Sequence, residues 1–409
     1  MKLPKASRRG RDINEQHRAS TPLELLFDLT FVVAIASAAS QLHHGIIAHH
    51  AAQAVPGYLL AFTSIWWAWM NYTWFASAYD NDDTLFRVLT MVQMGGVLLF
   101  ATGIPGIFTG QFFAAVIGYI VMRIALVVQW IRAALGDPPR RQTCLRYASG
   151  IVSVQLGWVV FILAVQNGIL SGFTLVAAIL LLWLCELLVP IWAEHAGTTP
   201  WHAHHIAERY GLMVIIVLGE CVLGAANTIA NVLQAQGWSF DLALVGFAGV
   251  LLIFALWWMY FLLPSAEALH HHRGRVWVWG YGHFFLFAAI AAVGVGLEVV
   301  ADALKTVQTS TASAADHAIA PLAAISTVAI AEALFVMSLN GLHLGVVRSS
   351  NKQIRLSLFC LLCIAIGPAA VFLGLPLPWG LLLLSFGPLC TIAYYERGRR
   401  HCTEHFAIR

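Results

Sequence analysis

An all-α polytopic membrane protein of about twelve transmembrane helices is the fold class this sequence predicts, and three observations carry it. Of the 409 residues, 59% are apolar and only 11% charged, whereas soluble domains run at about 45–50% and about 25%. Apolar runs of about 20 residues, the length a helix needs to cross the hydrocarbon, recur along the whole chain. The basic residues fall almost entirely in alternate connections between those runs.

The first 20 residues form a basic tail carrying Lys2, Lys5, Arg8, Arg9, Arg11 and Arg18. Thr21, Pro22 and Glu24 then read as a helix start, with proline in the first turn and an acid at the positive end of the dipole. Ala36-Ser37-Ala38 after a basic leader is compatible with a cleaved signal peptide, but Asp28 inside the run favours an uncleaved span. On the hydropathy criterion the spans lie near 23–42, 55–77, 84–103, 112–132, 147–166, 170–192, 208–232, 240–263, 276–299, 318–346, 355–374 and 377–395. The breaks at Asn167-Gly168 and Gly374–Pro376 are short, and the run 318–346 is long enough to tilt or to begin before the membrane.

With the N-terminus inside, one face collects Arg87, Arg132, Arg140, Arg141, Arg146, Arg209, Arg273, Arg275, Arg348, Lys352 and Arg355 together with both tails. The other face holds only Lys305, and Arg123 lies within a span. That asymmetry is what the positive-inside rule predicts for a multi-pass protein of a bacterial inner membrane with both termini cytoplasmic. The expected organisation is a cytoplasmic tail (1–20), a first six-helix half (21–195), a second (196–396) and a second basic tail (397–409). Each half opens with an acid-started helix, at Glu24 and at Glu208, followed by a Trp-rich one, with Trp66, Trp67 and Trp69 in the first and Trp257 and Trp258 in the second. Six is even, so such halves share one orientation, as in parallel transporter repeats.

The stretch His205–Ile229 concentrates the chemistry. A charged group of His205, Glu208 and Arg209 precedes a spanning run with Glu220 in its middle, and Gly224, Asn227 and Asn231 follow on the same face. A charge at bilayer depth costs several kcal/mol on insertion scales (about 2.5–3.5), so it marks a functional site by default. Glu220 equally suits a purely structural role, locking helices through hydrogen bonds while Gly224 permits close packing. At about 1.5 Å per residue, Glu220, Glu332 and Arg123 fall near one depth and should pair. The acid left over would be free to carry a proton or hold a cation; the bland alternative is an inert cluster that fixes register. Asn340 and His343 extend the Glu332 face. Closer to the cytoplasm lie Glu24, Asp28 and His283, with Asp80, Asp82, Asp83 and Arg87 at the inner end of span 2. A polar pathway from this acidic mouth, past Asp28 and His283, to Glu220 and Glu332 is the expectation; a solvated turn capping the next helix also explains the three aspartates.

Other functions are set aside. The seven cysteines show no disulfide or zinc-ligand pattern, and Cys360 and Cys363 read as core residues. The 17 histidines crowd loops, at His43, His44, His49 and His50, at His202, His204 and His205, and at His270, His271 and His272, yet none has a complete ligand set. No metal site and no cofactor is therefore expected. No lysine sits in a clear span, which excludes a retinal Schiff base, and no phosphate-cradling loop or hydrolase elbow is present. The expected partners are the lipid bilayer and a small ion or proton, with no nucleic acid; a homo-oligomer is compatible with the sequence.

Several phrases resemble the bacterial low temperature requirement A family. They are Thr21–Ala36, the stretch 79–83 followed by Phe86 and Arg87, His205–Leu212 with Leu218–Glu220, and Tyr281–His283 with Gly296–Glu298. The likeness covers spans 1 to 9 and implies an integral bacterial membrane protein without a defined substrate or reaction. Phe27–Phe31 with Ala34–Ala36 is more distantly similar to the first helix of endolysosomal-type potassium channels, whose motif Ser and Gly are absent here. The functional expectation is a secondary transporter or ion-conducting protein using buried carboxylates. The alternative is a non-transporting membrane protein: an intramembrane enzyme, or a sensor or assembly factor.

Overall fold

The computed structural model describes residues 10–13, 15, 18–262, 265–308, 319–346 and 351–407; side chains at 268, 305–308, 346, 351 and 398–407 are not among those described. Lys2, Lys5, Arg8, Arg9, Arg348 and Arg409 lie outside the described residues, as do the side chains of Lys305, Arg399, Arg400 and Cys402. Every regular element among the described residues is helical. In order they are α1 (Pro22–Ile47), α2 (Ala51–Tyr79), α3 (Thr84–Thr109), α4 (Phe113–Gly136), α5 (Arg141–Gln166), α6 (Gly172–Glu194), α7 (Ala203–Gln236), α8 (Phe240–Phe261), α9 (Ser265–His271), α10 (Val276–Gln308), α11 (Pro321–Val346), α12 (Asn351–Phe372), α13 (Leu377–Leu384) and α14 (Phe386–Ala407). Hydrocarbon offers no partner for a free N–H or C=O, so a spanning segment must close its backbone hydrogen bonds internally.

Eleven helical stretches among the described residues are long and apolar enough to cross a membrane. Helix α2 has the length, at 29 residues, but tryptophans, tyrosines and an asparagine lower its hydropathy; Trp67, Trp69 and Tyr72 are completely buried. The expected spans are all helical, with differences at their ends. His43 and His44 sit inside α1 rather than in a loop, and His204 and His205 inside α7. The last span breaks at Ser385 into α13 and α14, and the short helix α9 follows α8. Asp83 caps α3, its carboxylate accepting the Phe86 amide at 2.8 Å. The same helix ends on Gly110 in the left-handed region, φ 80°, where a side chain would be strained.

The chain forms two compact units. The first comprises the residues up to Ala38 with Leu60–Arg209, the second Ala39–Leu59 with Tyr210 onward. Within the first, α3, α4, α5 and α6 pack as successive neighbours. Small residues let α3 and α4 approach closely: a Cβ on Gly103 would lie 2.2 Å from the Ala115 nitrogen, and one on Gly118 2.3 Å from the Phe100 nitrogen. Within the second, α10 packs along α11, where a Cβ on Gly296 would lie 2.9 Å from the Val328 nitrogen, and α8 rests on α13 and α14. Leucines such as Leu180, Leu181 and Leu184 on α6 stay exposed, as expected of a face turned to lipid.

Candidate functional site

In the first unit the acids near the start of α1 are buried rather than solvated. Thr21 and Glu24 form a reciprocal cap: the Thr21 amide donates to Glu24 Oε2 at 2.7 Å, and the Glu24 amide to Thr21 Oγ1 at 3.3 Å. The other oxygen, Glu24 Oε1, faces three bases, with Arg209 Nη1 at 3.0 Å, His205 Nε2 at 3.1 Å and Arg18 Nη2 at 3.6 Å. None is aligned well enough for a directional hydrogen bond; the two arginine contacts are ion pairs, and the His205 contact becomes one only when the imidazole is protonated. One turn on, Asp28 takes Arg209 in a fork: Nε donates to Oδ2 at 3.0 Å and Nη2 to Oδ1, which also accepts the Trp69 indole at 2.7 Å. Glu24, Asp28, His205 and Arg209 are all 0% exposed. The helix turn that brings Glu24 and Asp28 onto one face thus presents both acids to a single arginine from α7. Glu208, by contrast, is exposed and accepts the Ser20 amide at 3.3 Å.

The three aspartates after α2 separate into different roles. Asp80 is buried, 3.7 Å from Arg18 Nη2, and accepts the Asp82 amide at 2.8 Å. Burial, aided by the nearby Glu24 charge, pushes its carboxyl up to about 6. Asp82 is exposed and forked by Arg87 at 2.7 and 2.8 Å, which holds it below the usual range. At Asp83 burial opposes, and the Phe86 amide and Arg132 outweigh it, so that carboxyl is lowered too. The expected acidic mouth is therefore largely neutralised by arginines, and its capping role is real.

Arg123 does not find the partner expected. Its acid is Glu186 on α6, 3.4 Å from Nη2, and not Glu220 or Glu332. Glu186 also accepts the Trp67 indole at 2.9 Å and the Gln155 amide at 2.8 Å, while Arg123 donates to the Tyr119 hydroxyl. Both charged residues are 1% exposed. The reason is local: α4, α5 and α6 pack side by side, which brings the two together within one unit. Glu186 was legible as a lone acid inside the apolar run of α6, the same signal that marked Glu220.

In the second unit Glu332 on α11 is 0% exposed, and neither carboxylate oxygen has a hydrogen-bond partner among the described residues. The buried Cys360 thiol of α12 lies within its electrostatic reach. Cys360 also lines a cavity of about 30 Å³ with Asn340, Gln353, Ser357, Thr391 and Tyr395, room for about one water. Asn340 turns its amide onto the Val336 carbonyl at 2.7 Å, and His343 is half-buried; neither holds Glu332.

Glu220 is half-buried one turn before Gly224, and Gly224 has a specific use. A Cβ there would lie 2.0 Å from Glu298 Oε1, so its absence makes room for that carboxylate against α7. His43 of α1 joins the group, with Nε2 2.9 Å from Asp302 Oδ2 and Nδ1 3.8 Å from Glu298 Oε2. His43, Glu298 and Asp302 were missed as a set because their partnership joins positions some 255 residues apart in the sequence. Asn227 and Asn231 share the Glu220 face and are exposed. His283 is buried, its Nδ1 donating to the Trp279 carbonyl at 2.7 Å and its Nε2 3.1 Å from the Tyr260 hydroxyl, so both ring nitrogens are satisfied by neutral groups. No group of three or more His, Cys, Asp or Glu suited to a metal occurs among the described residues.

The profile of the bacterial low temperature requirement A protein (LtrA) family matches residues 19–387. An uncharacterized protein of Rhizobium meliloti (strain 1021) is 26% identical over 260 residues, 60% of this chain. The chain spans 59% of that relative's length. No solved structure matches the chain.

Proposed function

We propose that this chain, which belongs to the bacterial low temperature requirement A family, is a secondary transporter or ion-conducting protein that handles a proton or small cation on carboxylates inside its helices. It is a multi-pass membrane protein by its helices and family. The alternation of its basic residues supports an inner-membrane location with both termini cytoplasmic.

The observation that carries this reading is Glu332. A buried carboxylate without a donor is expensive in an apolar surround, and a merely structural acid would have acquired a partner, as Glu24, Asp28 and Glu186 have. Glu332 therefore calls for a proton or a cation, and exchanging that companion is the elementary step of transport. The half-exposed group of Glu220, Glu298, Asp302 and His43 in the same unit supplies further carriers nearer solvent.

The test is flux in proteoliposomes loaded with pH- and cation-sensitive dyes. Wild-type protein should dissipate an imposed gradient and Glu332→Gln should not, while still inserting and keeping its fold. Undiminished flux in that variant would refute the assignment. The second reading, a non-transporting sensor or assembly factor, is favoured by the buried ion pairs of Arg209 with Glu24 and Asp28, which suit a fixed register; absent flux in every gradient would favour it.

A further inference from the structure

A groove of about 920 Å³ runs between the C-terminal end of α4 and the N-terminal end of α5, and it belongs to neither carboxylate site. Its apolar wall includes Val127, Ile131, Leu145 and Val152, and its polar end carries Arg141 and Arg146. Ile131, Leu145 and Val152 are each more than 40% exposed, as lipid-facing residues are. The two arginines differ from most of their kind here. Arg11, Arg18, Arg87, Arg123, Arg132, Arg140 and Arg209 each sit within 4 Å of a carboxylate. Arg141 and Arg146 have no such acid among the described residues; Arg146 donates only to the Trp192 carbonyl at 3.2 Å and lies over the Trp192 ring. Helix α5 also begins without a side-chain cap, so the positive end of its dipole adds to the same corner.

We propose that this groove binds the headgroup of an anionic phospholipid, with the phosphodiester on Arg141 and Arg146 and the upper acyl chain along Ile131, Leu145 and Val152. The charge and the apolar wall occur together, at the end of a membrane helix, where a lipid presents phosphate and hydrocarbon in that same order. A soluble anion would use the arginines and leave the wall idle; a zwitterionic lipid would bring the same phosphodiester but set its own headgroup cation beside the two arginines, cancelling the net attraction.

Spin-labelled phosphatidylglycerol and phosphatidylcholine, each at low fraction in vesicles of dioleoylphosphatidylcholine holding the purified protein, measure the selectivity directly. Wild-type protein should show a tightly bound phosphatidylglycerol component. Each basic residue near the surface is worth about 1 kcal/mol to an anionic lipid, or roughly fivefold. Arg141→Gln should then weaken that component roughly fivefold, and the pair Arg141→Gln with Arg146→Gln roughly 30-fold, with phosphatidylcholine unchanged. Because Arg146 also braces Trp192, Val152→Trp serves as an independent variant: it fills the wall, keeps both charges, and should release the same component. Unaltered selectivity in Arg141→Gln and in Val152→Trp would overturn the proposal. Displacement of the label by millimolar inorganic phosphate alone would overturn it too, reducing the site to a simple anion site.

Discussion

Replacing Arg209 by methionine tests the reading of the buried cluster most sharply. At 3.0 Å and an effective dielectric of about 20, each contact of Arg209 with Glu24 and Asp28 contributes about 5 kcal/mol of attraction. Taking the ions out of water costs several kcal/mol each, so the intact set gains little over neutral isosteres. Removing the cation alone is different, because it strands carboxylates in a fully buried site; the expected cost is about 3–5 kcal/mol. The two acids are not stranded equally. Glu24 keeps His205 at 3.1 Å and Arg18 at 3.6 Å, whereas Asp28 keeps only the Trp69 indole. Rescue should therefore be asymmetric: Arg209→Met with Asp28→Asn should recover most of the loss, and Arg209→Met with Glu24→Gln little. Unfolding by denaturant in micelles, followed by tryptophan fluorescence, gives the free energies. Equal rescue by the two second substitutions, or a cost for Arg209→Met under about 1 kcal/mol, would refute the argument.

Two other predictions rest on single contacts. Asp80, pushed up to about 6, binds its proton more tightly folded than unfolded. Its contribution thus falls as pH rises from about 4 to about 6, by about 3 kcal/mol at 1.36 kcal/mol per unit; Asp80→Asn should flatten the melting temperature across that interval. The exposed Asp82, lowered by Arg87, acts in the opposite sense and below that interval, its contribution being lost as pH falls under about 4, so the difference between variant and wild type is the informative quantity. Gly103→Ala should destabilise by about 1–3 kcal/mol, since its Cβ would meet the Ala115 backbone at 2.2 Å. Gly95→Ala on the same helix meets nothing within 4 Å and should be neutral or stabilising; equal thermal shifts for the two would show that α3 and α4 are not closely apposed.

The helices were legible because the signal for a span is additive: some 20 apolar residues outweigh any local exception. Helix α2 shows where that signal thins, since its buried tryptophans and tyrosines score as weakly apolar although they pack completely. Side-chain partnership is not additive in this way. Arg123, Glu220 and Glu332 looked equivalent by depth alone, yet depth constrains one coordinate and says nothing about which helices touch. Helix adjacency decided that Arg123 meets Glu186. The Glu24–Asp28 face was readable from its four-residue spacing, while its closure by Arg209 joins positions 181 residues apart. Gly224 was singled out by its place on the Glu220 face; that it makes room for Glu298 emerged only from the opposed helix.

The carboxylates buried in these helices divide by the company they keep. Glu24, Asp28 and Glu186 each meet an arginine together with a neutral or aromatic donor, and a charge so compensated gains nothing by exchanging its proton. Glu332 has no hydrogen-bond partner among the described residues, with the Cys360 thiol within its electrostatic reach. Stabilising the fold would be served better by leucine at that position, since it removes the cost of burying an unpartnered polar group. An acid retained where a neutral residue would be more stable is accounted for by something the neutral residue cannot do, which is to take up and release a cation. On the proposed reading, then, Glu24, Asp28 and Glu186 in the helices of the first unit stay paired. In the second, Glu332 is the acid proposed to exchange its companion, and this is why Glu332→Gln is expected to stop flux while leaving the protein folded.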